Sequence, residues 1–563
     1  MKFAAKSLLF LIALAATFAY TQTIPAGTFK HIIIVVQENR TPDNLFGSNP
    51  AIANCSQENP FERGVDIVDG GHVIGQKQPQ CLTPLPLSAW DATLNNGTVV
   101  DPDHLYQGWV TDYDGGSMDG FCHKYGTTCP EYSYVPKSDV QPYFDIATNY
   151  GFANYMFQSN QGPSFPAHQF LFSGTSAPVA PGDSIHYSWD FVIGNADFNH
   201  SGCPYTGTGG WPQWVKPNGN PIGDPRNSKN ECYTHDSLVT DANDCSNGTN
   251  GDYCDRRIVS WAYYAPGTPS IIWDAPRGIP EVCYGQNSPY NNNACGPGPS
   301  GNSKEWSDHV RIPDQNGYTD APIFDDLYSC KLPQVSWVIP DGRWSDHPQD
   351  GATSNITVYG PSWVGDIIDA VGGGMQGSTC NPPSATHAKY WAQEPTLILV
   401  VWDDWGGWFD HVKPFQARVN INPPPQGYTF CDPNQGQWGC GFTEGFRVPL
   451  LVVSPYTPPG YVSGACDGTF CNNDKPPYQH DFGSILAFTE YNFGMQRIAP
   501  PPGYADTNAP DWQPAGNIPL SDFFGSSTYN FTNISTPVGQ DYTCFQHFAK
   551  CVPDWVPTPP DND

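Results

Sequence analysis

Positive charge is scarce in this 563-residue chain, where 25 Lys and Arg stand against 55 Asp and Glu for a formal net charge of −30. A surface of that sign repels the backbone of nucleic acids and anionic membranes, which argues against a nucleic-acid partner. It also suits an acidic medium, where part of the carboxylates are neutral. Long apolar runs are missing as well. The one candidate, Leu8–Leu14 continuing through small residues to Ala19, is shorter than the roughly 20 apolar residues that cross a bilayer. No later stretch is apolar enough, so stable membrane insertion is not expected. Internal repeats, charge blocks and clear linkers are absent. So is a G-x-S-x-G elbow, which removes the motif case for a serine esterase. The cysteines lack paired zinc-finger spacing, which disfavours structural zinc.

What the chain does have begins at its first residues. Lys2 and Lys6 ahead of a short apolar run, then small residues, describe a secretory signal peptide over residues 1–22. Cleavage near Ala19 to Gln22 would remove both lysines and leave a net charge of −32. The product is expected to be secreted, extracellular or periplasmic, as a single domain over residues 23–563. Its 18 cysteines run from Cys55 to Cys551, and in an exported protein they read as structural disulfides. Cys122 with Cys129, Cys431 with Cys440 and Cys466 with Cys471 are close enough to staple local loops. With 58 Pro, 56 Gly and 18 Trp the chain is loop-rich and aromatic. Residues 187–301, dense in Gly, Asn, Pro and Cys, read as a stapled insertion or cap interrupted by one strand-like piece, Ile258–Tyr264.

Four short runs are almost purely apolar and β-branched: Ile32–Val36, Val335–Ile339, Leu397–Trp402 and Val448–Ser454. Continuous rather than alternating hydrophobicity is the mark of strands buried on both faces, as in a parallel sheet. Helical patterns at Gly365–Val371 and Phe482–Tyr491 support a doubly wound α/β sheet. The strand ends carry the chemistry. Ile32–Val36 runs into Gln37-Glu38-Asn39, Leu397–Trp402 into Asp403-Asp404, and Val335–Ile339 towards Asp341 and Ser345-Asp346-His347. Ligands in open α/β sheets bind beyond the carboxyl ends of the strands. Glu38, Asp403 and Asp404 as carboxylates and Asn39 as an amide oxygen can therefore converge on a hard divalent cation; an added imidazole widens the choice to iron, manganese or zinc. Acidic strand ends are also ordinary solvated turns, but two strands ending alike favour a metal site.

A third element is Ser159-Asn160-Gln161-Gly162-Pro163-Ser164-Phe165-Pro166-Ala167-His168, polar and punctuated by Gly and Pro. Ser164 after Gly-Pro can be exposed and rigidly held, and beside a divalent cation its hydroxyl becomes a nucleophile. The bland alternative is a turn serine.

Taken together, Lys30-His31 through Glu38-Asn39-Arg40, Asn160 through Ser164, Leu332 through Pro340 with Ser345-Asp346-His347-Pro348, Thr396 through Asp404 with Asp410-His411, Arg447 through Pro455 and the His480 region resemble the bacterial and fungal phosphoesterase family. That family holds phosphatidylcholine-type phospholipases C and a class of acid phosphatases. The resemblance implies an alkaline-phosphatase-like α/β fold, a central mostly parallel sheet flanked by helices, here with long disulfide-stapled loops. It implies a secreted, metal-dependent hydrolase of phosphoric esters, acting on a phosphoester small molecule or a phospholipid headgroup. Ser164 would be the nucleophile and would bridge to the metal, with Glu38, Asn39, Asp403 and Asp404 as ligands and His347 and His104 at the phosphate or leaving group. Asp410, His411 and His480 would lie behind them. Asp404 stands where the family more often has Glu. The competing readings are a sulfatase or phosphonate hydrolase on the same fold, or a secreted binding protein without catalysis.

Overall fold

The computed structural model describes residues 24–50, 52–62, 81–94, 97–174, 259–265, 274–279, 304–313, 317–348, 359–380, 388–415, 444–464, 479–498, 505–512, 517–537 and 542–547, with short pieces at 193–194, 213–215, 221–222, 237–239 and 282. The expected signal peptide, most of the 187–301 stretch, and Cys431, Cys440, Cys466 and Cys471 lie outside these residues.

Eight strands form the main sheet. In chain order they are β1 (His31–Gln37), β2 (Gly151–Ala153), β3 (Trp261–Tyr264), β4 (Val310–Arg311), β5 (Val335–Val338), β6 (Thr396–Trp402), β7 (Leu450–Val453) and β8 (Tyr461–Ser463). Across the sheet they run β4-β3-β5-β1-β6-β7-β2-β8. All pairings are parallel except those of β7 with β6 and β2. The sheet is thus mostly parallel, and the apolar runs expected as strands are strands. Val448–Ser454 differs in direction, because burial on both faces makes a strand apolar whichever way it runs. β3 shows that the Gly- and Cys-rich stretch contributes a strand to the sheet itself.

Every residue of β1 and β6 is buried, and each fully buried Ile, Val or Leu adds about 1.5–3 kcal/mol relative to exposure. Six helices matter for the site: α1 (Pro42–Phe46), α2 (Tyr106–Tyr113), α3 (Gln141–Asn149), α4 (Ser164–Ser173), α5 (Tyr359–Gly372) and α6 (Phe482–Phe493). α5 and α6 contain the two helical patterns read from the sequence. α3 packs on α5, and the two lean on β7 and β6; α4 packs on α6. Trp337 of β5 donates from Nε1 to Leu171 O of α4 at 3.0 Å, and Phe172 lies edge-on to Trp337, which fixes α4 against the sheet. Disulfides join Cys55 to Cys81, Cys122 to Cys129 and Cys330 to Cys380. No described helix is long and apolar enough to cross a membrane.

Candidate active site

β1 and β6 pair in register with Gln37 opposite Trp402, and the ladder continues one bond further, from Asp403 N to Gln37 O at 2.9 Å. There the chains turn. Asn39 takes a left-handed φ of 54°, which Asn tolerates better than most side chains. Its N–H and that of Asp404 both donate to Asp403 Oδ1, at 3.0 and 2.7 Å, so Asp403 Oδ2 is kept for other partners. Gly406, at φ 63°, follows; a Cβ there would lie 2.4 Å from Asn39 O. Only glycine allows the two strand-end loops to approach this closely.

α4 supplies the opposing wall. Ser164 is its first residue, after Pro163 at the N-cap. Ser164 Oγ lies 3.0 Å from Asp404 Oδ2 and 3.2 Å from Asn39 Oδ1. One turn on, His168 Nε2 lies 3.4 Å from Glu38 Oε1 and 3.5 Å from Asp403 Oδ2. Those separations are long for hydrogen bonds. Glu38, His168 and Asp403 are buried to 1% exposure or less, yet neither oxygen of Glu38, neither ring nitrogen of His168 nor Asp403 Oδ2 has a hydrogen-bond partner. Buried polar atoms are rarely left so. A cation among them would satisfy all three residues, and their ligand atoms lie within 4.8 Å of one another. The residues present therefore fit a divalent metal.

The charges agree. Burial, reinforced by the Asp403 charge, raises Glu38 and Asp404 well above the usual carboxylate range. For Asp403 burial also pushes upward, but His168, Glu38 and Ser164 outweigh it and bring the group down to about 2. A histidine favours ionisation of each carboxylate: His347 for Glu38, His168 for Asp403 and His104 for Asp404.

His104 Nδ1 is 2.9 Å from Pro102 O, so that nitrogen carries the proton. Its Nε2 then accepts from Asn39 Nδ2 at 3.1 Å, which turns Asn39 Oδ1 towards Ser164. His347 Nδ1 donates to Pro348 O at 2.8 Å; the two rings are 5.8 Å apart. The loop carrying His347 is tied to the end of β1. Gln37 Oε1 accepts from Asp346 N at 3.0 Å, and buried Arg40 donates twice to Asp346 O. Asp346 Oδ2 accepts from Tyr143 and from Trp402 Nε1.

The loop before Ser164 is braced from behind. Gln158 and Asn160 both donate to Gly162 O. Ser159 Oγ donates to Asp481 Oδ2 at 3.1 Å, and Asp481 caps α6. His480, beside it, bonds Ser463 and Asp511 at 2.7 Å each. Asp410 and His411 belong to a separate buried group. Arg447 pairs there with Asp410 and Glu62 at 2.9 Å, and His411 Nδ1 meets Asp43 at 2.9 Å. These residues back α1 and the loop after β6.

The structure thus brings together Ser164, Glu38, Asn39, Asp403, Asp404, His104 and His347, and it adds His168. The signal for His168 was its spacing, four residues after Ser164 and so on the same face of a helix.

A family model described as the phosphoesterase family matches residues 29–496. The chain is 22% identical to the hemolytic phospholipase C of Pseudomonas aeruginosa, covering 87% of this chain and 57% of that protein. It is 27% identical to the non-hemolytic phospholipase C of the same bacterium, covering 90% and 57%. Against phospholipase C B of Mycobacterium tuberculosis the identity is 23%, covering 76% and 68%. The chain spans 57–63% of the length of the Pseudomonas and Burkholderia relatives it matches.

Proposed function

This chain belongs to the phosphoesterase family, and on that footing we propose that it is a secreted, metal-dependent hydrolase of phosphoric esters with Ser164 as its nucleophile. The observation that carries the reading is the meeting of Ser164 Oγ with Asn39 and Asp404 at the first turn of α4, against the partnerless buried atoms of Glu38 and Asp403. Glu38, Asn39, Asp403, Asp404 and Ser164 would hold a divalent cation. When bound, such an ion supplies charge stabilisation for phosphate oxygens and lowers the pKa of a coordinated hydroxyl.

The protein's own groups do the rest. A phosphate facing Ser164 also faces the N-terminal end of a ten-residue helix, where backbone N–H groups lack intrahelical partners and the dipole favours an anion. Ser164 Oγ, its proton drawn by the neighbouring Asp404 carboxylate, attacks phosphorus in line; the bond to the leaving oxygen breaks, leaving a phosphoserine that water then hydrolyses. His104 has both ring nitrogens engaged and holds Asn39 in place. His347 Nε2 is the group that protonates the leaving oxygen. Positioning and electrostatics supply most of the rate.

The substrate class, a phosphomonoester or a phospholipid headgroup diester, is tested by turnover of p-nitrophenyl phosphate, p-nitrophenyl phosphorylcholine and p-nitrophenyl sulfate with and without a chelator. Chelator-sensitive turnover of either phosphate ester supports the reading. Turnover of the sulfate alone, or of none of the three, contradicts it.

A further inference from the structure

We propose that His168 is a direct ligand of the metal, so that the site takes a borderline transition ion such as zinc or iron in preference to magnesium or calcium. The inference rests on the metal-centre reading above and adds to it a residue outside the strand-end ligands. Three observations carry it. Nε2 of His168 stands 3.4 and 3.5 Å from one oxygen each of Glu38 and Asp403. Atoms bound to one ion at about 2.0–2.2 Å are separated by about 3.4 Å when the angle between them is tetrahedral. The spacing is therefore that of a shared ion. Next, all three side chains are buried and the atoms facing one another have no hydrogen-bond partner. Last, His168 and Ser164 lie one turn apart on the same helix, so α4 delivers an imidazole and the nucleophile to one place as a rigid pair.

The chemical consequence is selectivity. Carboxylate, amide and hydroxyl oxygens alone suit magnesium, calcium and manganese, whereas an imidazole nitrogen suits zinc and iron. The alternative role for His168 is a protonated counter-ion to Glu38 and Asp403, with no bond to a metal.

The test uses the full-length, disulfide-bonded protein, stripped with chelator and reloaded with Mn(II). Pulsed electron paramagnetic resonance should show the modulation of a directly coordinated imidazole nitrogen, and His168→Gln should abolish it. In parallel, Zn(II) affinity should fall at least about tenfold in His168→Gln, while Mg(II) affinity changes little. Bound Mn(II) without nitrogen modulation in the wild-type protein overturns this inference and leaves the metal centre standing. Failure of the wild-type protein to bind any divalent ion, with turnover intact, overturns the metal-centre reading itself. If His168→Gln does not fold, the wild-type spectrum alone decides.

Discussion

Asn39 serves two neighbours with one amide. Its Nδ2 donates to His104 and its Oδ1 faces Ser164, so the tautomer that Pro102 O imposes on His104 is passed on to Ser164. The proposed mechanism makes His347 the proton donor, and the consequence is measurable. His347→Gln should slow hydrolysis of an alkyl phosphate far more than of a nitrophenyl phosphate, whose leaving group needs no proton; equal losses would assign His347 to phosphate binding alone. Ser164→Ala should lower kcat at least about 10³-fold while the remaining ligands keep most of the divalent metal bound, and near-normal turnover would point to a metal-activated water. Glu38, Asn39, Asp403 and Asp404 were legible in the sequence from their place directly after fully apolar strands, whereas His104 and His347 came from the resemblance to the family. His168 was legible in neither. Gly162-Pro163 and Pro166 make the segment look like a loop, yet Pro is tolerated in the first turn of a helix. The helix therefore starts at Ser164, and its turn carries His168 into the site.

At the scale of elements, the site is a seam between two strand-end loops and the start of α4. The seam depends on backbone contact where Gly406 meets Asn39 O. Gly406→Ala adds a Cβ at a positive φ against a carbonyl. It should destabilise the protein by about 1–3 kcal/mol and weaken metal binding together, as read by denaturant unfolding and metal titration. A variant with unchanged metal affinity would show that the two loops are held independently. Strands were legible from their composition, and helices α5 and α6 from their pattern. The direction of β7 was not, since hydrophobicity records burial and carries no information on polarity. The brief strands β2 and β8, three residues each, are too short to show a pattern.

The whole molecule holds an unusual number of buried acids. Burial raises Asp112, Asp274 and Asp481 to about 7, and Asp346 and Asp410 to about 6. A carboxyl whose folded-state pKa is raised binds its proton more tightly in the folded chain. Its contribution is therefore present at low pH and lost as pH rises through about 6 to 7. Asp403, lowered to about 2, has the opposite sign and loses its contribution only as pH falls towards that value. The melting temperature should accordingly be highest in the mildly acidic range and decline between about pH 5 and pH 8; a flat or rising profile there would refute this account of the buried acids. The net charge of −30 adds self-repulsion in the same direction. Acidic composition was visible in the sequence, but the burial of these five aspartates was not, because each sits in a polar or loop-like stretch and is enclosed only by tertiary packing.

The most direct test of the central claim is to trap the covalent step. Rapid acid quench during turnover of a phosphate ester, followed by peptide mapping, should find phosphate on Ser164, and a burst of alcohol release should match the number of active sites. Steady turnover with no burst and no phosphate on Ser164 would contradict the two-step route.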